Sequence, residues 1–124
     1  MAEHLFWIYL VNAVLIVNHE IDSAYWREWE LFRLQGGITG FLLVHFPILF
    51  LIFYGMIVVF KNTFVGLLFS LLLSLAGFFA FVIHIFFIRK GRREFNTPVS
   101  IFILSAALMV SVIQFVVTMK LLYS

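Results

Sequence analysis

Residues 64–88 read FVGLLFSLLLSLAGFFAFVIHIFFI, a run without a single Asp, Glu, Lys or Arg. A helix needs roughly 20 apolar residues to cross the hydrocarbon core of a bilayer, so this stretch suffices by itself. Three further apolar runs surround it: Leu5 to His19, Ile38 to Phe60 and Val99 to Leu122. Apolar residues make up 65% of the 124-residue chain and charged ones 11%. An ordinary soluble domain is about half apolar and about a quarter charged. The sequence therefore predicts one all-α, polytopic membrane domain over residues 1–124, a bundle of four transmembrane helices.

There is no cysteine. Disulfides, thiolate metal sites, iron–sulfur clusters and thiol redox chemistry are excluded. The opening Met1-Ala2-Glu3-His4 has neither the basic flank nor the cleavage pattern of a signal peptide, so the first apolar run is expected to stay as a membrane helix. Gly-rich phosphate loops, nucleophile elbows and H-E-x-x-H zinc motifs are missing. Nucleic acid is not an expected partner, because the cations lie in loops at a membrane surface.

Four helices give two faces. Arg27, Arg33, Arg89, Lys90, Arg92 and Arg93 fall on one, Lys61 and Lys120 on the other. The positive-inside rule then predicts cytoplasmic charged loops, with both termini outside. Glu20, Asp22, Glu28, Glu30 and Glu94 share the cationic face. Between the first two runs, residues 23–34 alternate aromatic and charged side chains and predict a short amphipathic interfacial helix. Asp22 or Ser23 would be its N-cap and Gly36-Gly37 its end, with a bend near residues 20–22. Pro98 suits the first turn of the last helix, capped by Asn96 or Thr97.

Residues three, four and seven apart share a helix face. Ser100, Ala107, Ser111, Gln114 and Thr118 make one small, polar stripe; Gly66, Ser70, Gly77 and His84 make another; Asn12 and His19 sit seven apart. Small residues let membrane helices approach and polar ones bond across the contact, so these faces should turn inward. Counting turns puts His19, His45 and His84 in one layer near the cytoplasmic side, and His4 at the opposite face.

Three imidazoles and a carboxylate suit zinc, and also iron or manganese. The expected ligands are His19, Asp22, His45 and His84, with Asp22 one turn from His19. Glu20, about 100° away, and Glu28 are the candidate catalytic or outer carboxylates. A metal-activated water could hydrolyse a membrane-associated small-molecule or lipid substrate arriving from the bilayer. Other readings stay open. His45 and His84 could hold a haem axially. The same groups could be structural in a non-catalytic membrane subunit. A small homo-oligomeric transporter could use Asn12, Ser70, Ser111 and Gln114 as a polar path.

His19-Glu20-Ile21-Asp22 followed by Glu28-Trp29, His45-x-Pro47 in the second long helix and His84 late in the third resemble an uncharacterised family of small bacterial four-helix membrane proteins. Glu94 to Ser100 is similar to that family's last loop, and the resemblance spans nearly the whole chain. It implies a bacterial inner-membrane location and residues that act together; it implies no particular activity.

Overall fold

Leu5, Tyr9, Asn12, Ile16, His19 and Ser23 are spaced alternately four and three apart, and all six are buried. That is the 3.5-residue spacing of a helix seam packed along its whole length. In the computed structural model, which describes residues 2–91 and 97–124, this seam makes one unbroken helix, α1 (Ala2–Tyr25). It is followed by a single turn, α2 (Glu28–Leu31), and by α3 (Gly37–Phe60), α4 (Phe64–Arg89) and α5 (Pro98–Leu122). Among the described residues, α1, α3, α4 and α5 are each long and apolar enough to cross a membrane.

The polar stripes are the packed faces. Ser100, Leu104, Ala107, Ser111, Gln114 and Thr118 repeat the four–three spacing on α5 and are buried. They meet Ser70 and Gly77 of α4, and α4 on α5 is the most extensive helix pair; Gly66 and His84 of the same stripe face α3 and α1. Asn12 Nδ2 donates to Gln114 Oε1 at 2.7 Å and to Ser111 Oγ at 3.1 Å. Gln114 Nε2 in turn donates to the Ser70 carbonyl and hydroxyl, and Ser70 Oγ meets Thr118 Oγ1 at 2.8 Å. This chain of bonds ties α1, α4 and α5 together in mid-span, where a lone polar group would be costly.

The helix ends follow local chemistry. Thr63 caps α4 by accepting from Gly66 N, and Thr97 caps α5 by accepting from Ser100 N ahead of Pro98. Asn96, the other expected cap, and Arg92, Arg93 and Glu94 lie outside the described residues.

The segment between α1 and α3 departs from the expected twelve-residue interfacial helix. Residues 23–25 extend α1, because Ser23 continues its buried seam, and no bend intervenes at residues 20–22. The chain then reverses through Arg27 at φ 55°, a left-handed conformation uncommon for a residue with a side chain. Only one helical turn follows. Gly36, at φ 101°, precedes α3 as its N-cap and does not end the short helix.

Candidate metal centre

Because α1 runs straight past residue 19, His19 stays on its inner face and meets His84 of α4, with ring centroids 4.5 Å apart at nearly a right angle. The two residues are only 2% and 1% exposed. The reversal at Arg27 then lays Glu28 over the same end of the bundle, with Glu28 Oε1 3.3 Å from His84 Nε2. One ligand atom from each of His19, Glu28 and His84 lies within 4.8 Å of the other two.

Proton positions give this contact its meaning. His84 Nδ1 is 2.6 Å from the Ala80 carbonyl, which can only accept, so Nδ1 carries a proton. Its Nε2 faces a carboxylate oxygen, which in a neutral ring would set two acceptors against each other. Two acceptors do not face each other unless a positive charge lies between them, either a second proton on the ring or a metal ion. An Nδ1–H held by a backbone carbonyl is also the usual way a ligating histidine is oriented. Burial alone would push the Glu28 carboxyl up. Hydrogen bonding with His84 and Ser23 and the nearby imidazoles outweigh burial and hold it below the usual carboxylate range, as an anion.

His45 goes elsewhere. Its Nε2 is paired with Glu20 Oε2, and its Nδ1 lies 2.6 Å from the Phe41 carbonyl. Both ring nitrogens thus have oxygen partners, and His45 is not among the residues that converge with His19 and His84. The pair shares one proton, as imidazolium and carboxylate or as imidazole and carboxylic acid. Asp22 is half-buried and outside the three-residue group. The inward direction on this turn belongs to Ser23, four residues from His19, and not to Asp22, three residues away. Glu30 faces solvent beside Arg27 at 3.7 Å, an exposed pair of little energetic weight.

Of the residues singled out in the sequence, the structure brings His19, His84 and Glu28 together, pairs His45 with Glu20, and leaves Asp22 outside both groups. The sequence offers Glu28 as a catalytic or outer carboxylate, because an expected bend near residues 20–22 leaves its direction open. The signal that could have found it is the four–three seam reaching Ser23. The four polar residues considered for a transport path are spent on one another: Asn12, Ser70, Ser111 and Gln114 bond together and are fully buried.

Two cavities meet at the cluster. The larger, about 430 Å³, runs from His19, Glu28 and His84 between α1, α3 and α4 to Tyr9. The smaller, about 370 Å³, lies between α2 and α3 and is lined by Trp29, Gln35, Phe41 and His45. Glu20, Glu28 and Ile48 border both.

Four spanning helices around a buried His/Glu cluster define a small polytopic membrane protein with a polar site at one end of its bundle. A model for a family described as "Family of unknown function (DUF6713)" matches residues 5–121, and the chain belongs to that family. No curated protein and no solved structure matches it.

Proposed function

We propose that His19, Glu28 and His84 hold a divalent metal and that the protein is a membrane hydrolase acting on an ester or phosphoester of a membrane-associated substrate. The observation that carries this is the convergence of His19, Glu28 and His84, with one ligand atom of each within 4.8 Å of the other two. Two ligands about 2.1 Å from a tetrahedral ion lie about 3.4 Å apart, close to the 3.3 Å between His84 Nε2 and Glu28 Oε1. A His₂Glu set that leaves a fourth position open suits catalytic zinc; iron(II) and manganese suit the same donors.

A cation there would acidify a water and polarise the substrate's ester oxygen. The chain's own contribution is the Glu20–His45 pair at the boundary of both cavities, placed to take the proton of the attacking water and return it to the departing alkoxide. Water is then added across the bond: its oxygen goes to the acyl or phosphoryl group, its two protons end on the products. The cationic loops favour a cytoplasmic position for this end of the bundle in a bacterial inner membrane.

The test is hydrolysis of p-nitrophenyl esters and of bis(p-nitrophenyl) phosphate in detergent micelles. Zinc-loaded protein should release nitrophenol and chelator-stripped protein should not. Glu20→Gln should lower turnover by about 100- to 10,000-fold with the metal retained. A metal-loaded protein inert toward both classes would remove the hydrolase and leave a non-catalytic membrane subunit.

A further inference from the structure

The larger cavity exists because α3 leaves the bundle. Near the turn to α4 the two helices are in contact: a side chain at Gly66 would strike the Val58 carbonyl, and one at Gly55 would strike Phe69 and the Tyr9 hydroxyl. All four buried residues of α3, Ile52, Gly55, Val58 and Val59, lie in this half. From Gly37 to Leu51 no residue is buried. Pro47 lies within that stretch, where its ring removes one helix hydrogen bond and crowds the preceding turn. The far end of α3 is propped by α2, where Trp29 meets Phe41 at 5.4 Å between ring centroids.

The crevice so opened is polar at one end only. His19, Glu20, Glu28 and His84 sit there, while Tyr9 at the other end has its hydroxyl bonded to the Ile52 carbonyl at 2.7 Å. Every remaining wall residue is aliphatic or phenylalanine. Ten residues of α1 separate Tyr9 from His19, about 15 Å at 1.5 Å per residue. A volume of 430 Å³ over that length gives a cross-section on the order of 30 Å². That admits an extended hydrocarbon chain. The edges of the mouth, Leu72 and Phe79, are 62% and 66% exposed on helices that cross the membrane, so the crevice opens to lipid and not to water.

We propose that this crevice binds a single acyl chain of a membrane lipid, its ester lying between Glu20 and Glu28 and its alcohol part in the smaller cavity. A ligand there must be apolar for about 15 Å, polar next, and bulkier beyond, and it must enter sideways from the bilayer. An acyl ester of a glycerolipid meets each requirement. The position of the ester rests on the metal-centre reading; the binding of the chain does not.

Photolabelling separates the two. The protein is placed in phosphatidylcholine vesicles containing a trace of phosphatidylcholine with a diazirine at the end of one acyl chain, irradiated and mapped by mass spectrometry. Lipid around the bundle reaches outward residues such as Val11 and Val14. A chain in the crevice labels Tyr9, Ile16 or Leu73, which are buried from surrounding lipid. Ala76→Trp fills the mouth from an exposed position and should lower that inner label roughly tenfold with metal content unchanged. His84→Ala should lose the metal and keep the inner label. Label confined to the outward residues, or an inner label indifferent to Ala76→Trp, would overturn the proposal. Inner labelling of a protein that holds no metal would keep the acyl site and remove the metal centre.

Discussion

His84 is set by a bond to its own helix. The Ala80 carbonyl takes the Nδ1 proton, so the other nitrogen must face Glu28 and His19. His45 is bonded to Phe41 in the same way, yet its second nitrogen meets Glu20, and two histidines of similar setting acquire different tasks. Substitutions should separate them. His84→Ala or His19→Ala should abolish stoichiometric metal binding, and Glu28→Gln should weaken it by removing the anionic ligand. His45→Ala acts through Glu20 and should cost no more than about 10- to 100-fold in affinity. Competition with a chromophoric chelator measures all four; equal losses at His45 and His84 would make both of them ligands. Which imidazoles share a layer was legible in the sequence, because turns can be counted from the charged loops. Which carboxylate joins them was not. That depends on Arg27 adopting a left-handed conformation, which its residue type does not advertise.

The same contrast holds for whole helices. Inward faces of α4 and α5 could be read directly, since small and polar residues at spacings of three, four and seven have few other uses in a membrane helix. The end of α1 could not, because Glu20 and Asp22 resemble a loop and only Ser23 continues the seam. Two glycines give a test of how rigid these contacts are. A methyl group at Gly66 meets backbone, 2.5 Å from the Val58 carbonyl oxygen and 2.8 Å from Val59 Cα, which a side-chain rotation cannot relieve. At Gly77 it meets chiefly the Ser111 hydroxyl. Gly66→Ala should therefore cost about 1–3 kcal/mol in an unfolding titration. The cost of Gly77→Ala should be partly recovered by adding Ser111→Ala, read as a double-mutant cycle. Full additivity of that pair would show that the hydroxyl is not what the methyl meets.

At the scale of the molecule, three helices are fastened by the Asn12–Gln114–Ser70–Thr118 chain, and the fourth is joined to α1 by the Tyr9–Ile52 and Glu20–His45 contacts instead. The site lies at the end of the bundle where α3 has no buried residue. The charged loops predict an orientation, and the absence of cysteine makes it simple to check with single replacements. Gly91→Cys should be protected from a membrane-impermeant maleimide in intact cells and reactive in inverted vesicles, with Ser124→Cys the reverse. The opposite pattern would put the cluster at the outer face. The most direct measurement on the centre itself is elemental analysis of freshly purified, chelator-free protein beside His19→Ala, Glu28→Gln and His84→Ala. One equivalent of zinc, iron or manganese in the unaltered protein, lost in the two histidine variants and reduced in Glu28→Gln, is the expected result. Folded protein with no stoichiometric metal would leave a proton, shared by His84 and Glu28, as the only positive charge there and would contradict the metal centre.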